Sequence, residues 1–574
     1  SSPTKLQLIA AGQQAAPGKS PYDSNPTMGG RSITGTSTLI AGVTTTVTVN
    51  LVDDYYNVVR GTTPFMSETQ IPISSYTPVI EMQFPNDPNI QLRGLAPANY
   101  RKSLEAGTTT FTYIPVTRNP AGMQVRVLDS HLTSTDYSTD TVSNIIVNAN
   151  PTPVLLQGLV PPEAAAEGSI AGKVNGAGPL DAGYPYTVTV RTVDLYNNKT
   201  NDGRSVGLSS NDQYASVPVV QPLAAGESFF NPFVASASTG NLVVTAYDNS
   251  GAGLPSAVVS DVDVIPGPVS NLLVVLSGET LEPGRNIAPY GVTGAPSIST
   301  AGTNFAVDVY ATDSRYNWVT YISSDVALTA DDPFRPNPFD LATSTFTLVG
   351  GHYQATGATL RTAGTRRIGA NRIGGGLVAA MSNAMTLNPR DATKLRVLLP
   401  NESRVAGSLT TGRSGPAYST QAGFDRNIIV DLADAFWNLT PGASQEIRLV
   451  ADDPFTVITP TAQVVATSAT FVVNFRRAGA TQLRAEMVNV VPPWGPTLSL
   501  DNASPVTVTA GTPQRLLVKL PGESFDQGSP TGKSGVTNPD AVAGQAFQVV
   551  VGVVDSFFNL VSGRAVDVKI NTPT

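Results

Sequence analysis

Ten residues of two short polar types carry the first chemistry in the sequence: Asp53 and Asn57, Asp194 and Asn198, Asp313 and Asn317, Asp434 and Asn438, Asp555 and Asn559. In every pair the asparagine follows its aspartate by four residues, and the glycine of an Ala-Gly pair (Gly42, Gly183, Gly302, Gly423, Gly544) precedes it by eleven. Side chains this short bond main-chain N–H groups close by and so close a turn. The same oxygens, together with the pairs Asp53/Asp54, Asp331/Asp332 and Asp452/Asp453, are also hard ligands of the kind calcium takes. The ligand alternation of an EF-hand loop is missing. Turn formation is therefore the expectation, with calcium as its alternative and no other cofactor.

Aromatic side chains crowd the same boxes: Tyr55-Tyr56, Tyr196, Tyr316, Phe436-Trp437 and Phe557-Phe558. Adjacent residues at a strand end point to opposite sides, so one ring is expected to cap the core. The other is left to pack on a neighbouring domain or to stack on a sugar, and packing is the preferred reading.

Other chemistry is weaker. Gly407-Ser-Leu-Thr-Thr-Gly412-Arg413-Ser414 and Gly528-Ser-Pro-Thr-Gly532-Lys533-Ser534 approach a phosphate-binding loop. The first has arginine for lysine, the second is one residue short, and no helical pattern follows either. The only histidines, His131 and His352, stand in different repeats, which excludes a catalytic triad or a histidine metal site. Paired carboxylates suit a glycosidase in principle, but a catalytic pair copied in tandem would be unusual. No enzyme is expected. Asn198, Asn401, Asn438 and Asn502 open Asn-x-Ser/Thr sequons, which matter only in a glycosylating host. Cysteine is absent, so disulfides and thiolate chemistry are excluded.

The boxes must be held by something that recurs with them. Successive aspartates lie 141, 119, 121 and 121 residues apart, the scale of a small domain rather than of a solenoid turn. Opening strands are expected at 6–9, 154–156, 272–276, 394–400 and 516–520, followed by turns at Glu163, Glu279, Glu402 and Glu523. In the fourth copy, further strands are expected at 427–433 and 446–450. A hairpin is expected over 470–475 and 482–486, and a last strand at 505–509. Short strands every 10–15 residues or so, punctuated by Gly, Pro, Asn and Asp, indicate an all-β fold of tandem sandwiches. No sustained 3.6-residue period occurs, so helix is expected to be nearly absent.

The domains read as 1–152 (with an insertion around Tyr76–Tyr100), 153–267, 268–391, 392–511 and an incomplete 512–574. Short Pro/Gly/Thr connectors imply a semi-rigid, extended array. The fifth copy has strands expected at 516–520, 547–554 and 566–570, and then lacks those matching 470–486 and 505–509. It is expected to be completed by further chain or by a strand lent from another molecule. Ser1 opens on repeat-like sequence, so any signal peptide is expected to have been removed or to lie outside this sequence.

The stretch Val47-Thr-Val-Asn-Leu-Val-Asp53 through Val59 resembles the bacterial Ig-like domains of invasin and intimin type, in which an apolar strand ends in Asp-x-x-Gly-Asn-x-Val. The match recurs at Asp313–Val319 and Asp555–Val561, and more weakly at Asp194 and Asp434, where Thr200 and Thr440 replace the valine. The family's glycine is here Tyr56, Asn197, Tyr316, Trp437 and Phe558. The resemblance implies an extracellular spacer of Ig-like β-sandwiches and carries over no ligand-binding residue.

Composition bounds the partners. Charged residues make up 14% and the formal charge is −8, so no basic stripe exists to neutralise nucleic-acid phosphates. No apolar run is long enough to span a bilayer. The expectation is an extracellular or cell-surface structural protein of a bacterium, associating with its own copies as a fibre, sheath or surface layer. An adhesin binding glycans or another cell is the alternative, and accessory repeats of a secreted enzyme a third.

Overall fold

The structure is a computed structural model and describes residues 3–22, 29–35, 38–60, 78–92, 101–130, 137–251, 253–334, 345–441, 444–488, 498–537 and 542–571. The chain divides into two compact units. The first is Ser1–Pro268 with Glu282–Gly291 and Asp313–Asn317; the second is Val269–Leu281, Val292–Thr312 and Trp318–Thr574. Both are all-β. One four-residue turn of α-helix, Asn89–Leu92, is present.

In the first unit, Thr45–Val52 shows how a strand is specified. Val47, Val49 and Leu51 are buried on one face, in the two-residue period of a strand. It pairs antiparallel with Lys5–Ile9 on one side and Thr108–Tyr113 on the other. A five-stranded sheet of Thr38–Ile40, Asp140–Asn148, Asn119–Asp129, Val79–Gln83 and Arg101–Ser103 faces it. Leu8, Phe111, Met123 and Val125 are among the residues that fill the space between the sheets. The pattern recurs with Leu155–Leu159, Tyr186–Val193 and Glu227–Phe233 opposite a five-stranded sheet, around Val188, Phe230, Phe233 and Leu242.

One bulge recurs too. Asn144 and Asp261 have φ of 62° and 57°, and each adds a residue between buried neighbours, Val142 and Ile145 in one copy, Val259 and Val262 in the other. The extra residue keeps the next apolar side chain facing inward.

The second unit holds two further cores. Asn271–Leu276, Phe305–Thr312 and His352–Ala358 form one sheet around Val307, Val309 and Leu360. Lys394–Leu398, Asp425–Ala433, Ser468–Asn474 and Val457–Thr459 form the equivalent sheet around Leu395, Ile428, Val430 and Phe471. The opposing layer is split into two pieces in both copies, for example Gln463–Val465, Gln445–Ala451, Leu483–Met487 and Asp501–Asn502 beside Tyr418–Gln421, Val506–Thr509 and Gly479–Thr481. The outer face of the 394–398 strand buries Arg396, bonded to Asp431 at 2.7 Å, with Arg404 on the other carboxylate oxygen at 2.9 Å.

The turn after each opening strand is closed by a carboxylate. Glu163, Glu279, Glu402 and Glu523 each accept the N–H three residues back, from Val160, Leu276, Leu399 and Leu520, at 2.8–3.0 Å. Gln13 does the same for Ala10 at 3.2 Å.

Two sequence expectations fail. Ser468–Asn474 and Leu483–Met487 are not a hairpin. The first lies in the sheet with Asp425–Ala433 and the second pairs with Gln445–Ala451 in the opposite layer. The chain crosses the sandwich between them at Gly479, whose φ of 135° turns it over. Val566–Ile570, expected as a strand, is not one. A strand exists only through a paired neighbour, and among the described residues none pairs with it; Val566, Val568 and Ile570 are exposed. Among the described residues of 512–571, only Arg515–Lys519 with Val550–Val554, and Glu523–Phe525 with Lys533–Gly535, form ladders. Around Tyr76–Tyr100 the described part contributes Val79–Gln83, which takes its place in the first copy's five-stranded sheet; Tyr76, Tyr100 and His131 lie outside the described residues.

Candidate functional site: a repeated joint

Each Asp-x-x-x-Asn box is a tight loop at the end of a central strand. Oδ1 of the aspartate accepts the N–H groups two and four residues on: Tyr55 and Asn57 on Asp53, Tyr196 and Asn198 on Asp194, Arg315 and Asn317 on Asp313, Phe436 and Asn438 on Asp434, Phe557 and Asn559 on Asp555. These bonds measure 2.8–3.0 Å. The residue before each asparagine takes φ of 61–64°, although it is Tyr56, Asn197, Tyr316, Trp437 or Phe558 and never glycine. That conformation is strained for an aromatic residue. What holds Tyr56, Trp437 and Phe558 is their packing: an added Cβ on Gly30, Gly412 or Gly532 would fall 2.2–2.6 Å from the ring or its Cβ. A cation covers each ring, Lys5 over Tyr56 at 4.0 Å, Lys394 over Trp437 at 4.4 Å and Arg515 over Phe558 at 4.6 Å.

The box does not end in its own loop. Nδ2 of Asn198 donates to the Val116 carbonyl and Oδ1 accepts the Arg118 N–H, both at 2.7 Å. The same bidentate clamp joins Asn317 to Ser236 and Ser238 at 2.8 and 2.7 Å, Asn438 to Arg361 and Ala363 at 2.7 and 2.9 Å, and Asn559 to Arg476 and Ala478 at 2.8 and 2.7 Å. In each case the asparagine reads main chain 75–83 residues behind it. The second aspartate oxygen accepts a connector N–H: Asn150 on Asp194, Gly267 on Asp313, Arg390 on Asp434 and Gly511 on Asp555, at 2.7–3.0 Å. All of these contacts lie within one or the other compact unit.

The Ala-Gly pair is the seat of this joint. Tyr196 lies over Gly42, Arg315 over Gly183, Phe436 over Gly302 and Phe557 over Gly423, so near that an added Cβ would stand 2.4–3.2 Å from the side chain. Tyr196, Phe436 and Phe557 thereby pack on the edge of the core ahead of their own. A second glycine in each copy closes the contact: Gly168 on Thr117, Gly284 on Ala237, Gly407 on Thr362 and Gly528 on Arg477.

Asp194, Asp313, Asp434, Asp555 and their four asparagines are 0–1% exposed, so these bonds are made away from water, where an unmade one is costly. Charge-assisted bonds from several N–H groups to one carboxylate suit a fixed loop. Nothing in the arrangement places a nucleophile against a base.

The remaining candidates are also occupied by main chain. Asp332 accepts Phe334, Arg361 and Thr362 N–H groups; burial pushes its carboxyl up, but these bonds and the Thr362 hydroxyl hold it below the usual range. Asp331 accepts Arg367, Asp452 accepts Gln482, and Asp453 accepts Phe455 with the Thr456 hydroxyl. Among the described residues no group of three or more acidic or histidine side chains stands ready for a metal. The phosphate-loop look-alikes are the tips of two-stranded ribbons, 403–414 and 523–535, with no helix following among the described residues. His352 Nε2 lies 2.8 Å from Asp308.

Sequence reasoning missed the partners of the asparagines. Val116-Thr-Arg118, Ser236-Ala-Ser238, Arg361-Thr-Ala363 and Arg476-Arg-Ala478 have no residue type common to all four, because the clamp bonds only their main chain. Gly168, Gly284, Gly407 and Gly528 stand 26, 29, 27 and 27 residues ahead of the aspartate of their box, so a search for one fixed spacing does not collect all four.

No known protein family matches the chain, and no curated protein does. Among solved structures, the S-layer protein SbsC aligns over 92% of this chain at 13% identity with a TM-score of 0.18. An Escherichia coli α2-macroglobulin aligns over 90% at 12% identity and 0.23, and the Escherichia coli adhesin FdeC over 57% at 14% identity and 0.20. This chain spans 57% of the SbsC structure, 45% of the macroglobulin and 94% of the FdeC structure. All are multidomain proteins rich in β-structure; superposition scores this low carry no argument about function. Among the described residues no helix is long and apolar enough to cross a membrane.

Proposed function

We propose that the chain is a structural protein of a bacterial cell surface. In this reading its Ig-like repeats, with boundaries near 152, 267, 391 and 511, are spacers, and copies of the protein associate into a fibre, sheath or surface layer. One observation carries it: the same clamp, an asparagine bonded twice to main chain behind it and an aspartate bonded to the connector, is built four times into one chain. Flexible tethering needs no such bonds; a part that must hold distance does. Imaging the purified protein and immunogold labelling of the producing cell test the reading together. Ordered filaments or lattices with label on the cell surface support it. Single particles without order, or label confined to the cell interior, overturn it.

A second reading, an adhesin, has one specific observation in its favour. Trp318, 38% exposed, meets Tyr310 and His352 edge-on at ring distances of 5.5 and 5.8 Å, beside Asp308 and Gln354. Aromatic faces next to polar acceptors are the chemistry that holds a sugar. Glycan binding that Trp318→Ala abolishes would favour it.

A further inference from the structure

The first copy carries the projecting half of the joint, and among the described residues no main chain is clamped to it; Tyr22 meets it, edge-on to Tyr55 at 5.3 Å and with its hydroxyl on the Gly18 carbonyl. Asn57 is exposed, whereas Asn198, Asn317, Asn438 and Asn559 are buried at 0–1%. Tyr55, which corresponds to Tyr196, Phe436 and Phe557, is 56% exposed. Gly18 has nothing within 4 Å of an added Cβ, whereas its counterparts Gly168, Gly284, Gly407 and Gly528 all meet the chain ahead of them. The loop itself is already set: Asp53 holds Tyr55 and Asn57 by the same pair of N–H bonds as in the other copies, and Tyr56 has the same φ of 64°.

We propose that the face formed by Gly18, Tyr55 and Asn57 is a docking surface, and that its occupant is the end of another repeat of this same design. The four internal joints define what that end must offer: an Ala-Gly turn to seat the Tyr55 ring, and a carbonyl and an N–H two residues apart to receive Nδ2 and Oδ1 of Asn57. Recognition is by main chain and by a bare α-carbon, so any copy of the repeat qualifies whatever its surface side chains. A preorganised loop loses little freedom on docking, which favours association. The inference rests on the reading of the internal contacts as joints.

The test appends a second copy of residues 392–511 ahead of Thr4 in the full chain, spaced as that copy is from the next. Nitration of Tyr55, followed by mass spectrometry, reads whether the face is covered. In the unextended chain Tyr55 is expected to react as an exposed phenol. In the extended chain its reactivity should fall towards that of buried Tyr113, and Asn57→Ala should restore reactivity and lower the melting temperature as Asn198→Ala does. A Tyr55 that stays reactive in the extended chain overturns the proposal. Protection already present in the unextended chain and lost on dilution overturns it where Asn57→Ala leaves that protection intact, because a surface that does not use the clamp would then be the occupant. If Asn198→Ala and Asn438→Ala leave stability unchanged, the reading of the internal joints fails as well; if they destabilise while Tyr55 stays open, only this inference fails.

Discussion

The Phe436 ring rests on the α-carbon of Gly302, so close that a Cβ there would lie 2.4 Å from Cε2 of the ring. Gly302 also has φ of +70°, a conformation that favours glycine, and its N–H is held by the Leu360 carbonyl at 2.7 Å. A residue with no side chain thus positions the side chain of another repeat.

Gly302→Ala is expected to destabilise by about 1–3 kcal/mol through overpacking. Gly544→Ala, at φ +84° with nothing within 4 Å, should lose only the backbone preference of about 1 kcal/mol. Pairing Gly302→Ala with Phe436→Ala should cost less than the sum of the two, because the clash partner is gone. Denaturant titration of the four variants measures this, and strict additivity would count against direct contact.

Asn438→Ala removes both partners of a clamp and leaves the Arg361 carbonyl and Ala363 N–H unmatched, an expected loss of about 1–3 kcal/mol. Asn438→Asp should be worse, since it keeps an acceptor for Ala363 but sets a second carboxylate against Asp434 and the Arg361 carbonyl. Hydrogen exchange at Ala363 should speed up in both variants before the Ile428–Val430 core opens; unchanged exchange there would mean that the clamp contributes nothing.

Asp434→Ala should cost about 1–3 kcal/mol, because the N–H groups of Arg390, Phe436 and Asn438 lose their common acceptor. EDTA and added calcium should leave the melting temperature unchanged, since these oxygens are spent on main chain. A clear rise with calcium would instead make them metal ligands.

Acid should weaken the 392–511 segment through Asp431. Burial pushes this carboxyl up, but hydrogen bonds from Arg404, Arg396 and Ser468 outweigh it and hold it below the ordinary carboxylate range. A group depressed in the folded state contributes stability that is complete above its unfolded pKa and is lost as pH falls through its folded value. Stability should therefore hold at neutral pH and fall on acidification below the ordinary carboxylate range. Asp431→Asn should flatten that acid limb and cost about 3–5 kcal/mol at neutral pH, since it strands the fully buried Arg396. An acid limb identical to that of the unmodified protein would rule out this assignment.

Side-chain periodicity and turn residues made much legible in the sequence alone. The alternation of Val47, Val49 and Leu51 announces a half-buried strand, and the fixed spacing of Gly302, Asp313 and Asn317 announces a copied unit, because both depend on residue type at set positions. The partners of those residues were not legible. Whether Ser468–Asn474 pairs with Leu483–Met487 or crosses to the other layer depends on which sheet has room for it, and short-range pattern is the same either way. Val566–Ile570 has the composition of a strand, but composition supplies no neighbour for its ladder. Above all, Asn438 finds Arg361 and Ala363 through hydrogen bonds to groups that every residue carries, so nothing in the side chains at 361–363 marks them as a receptor. Local sequence determined the loop; only the tertiary structure, by bringing distant main chain against it, decided that the loop is half of a joint.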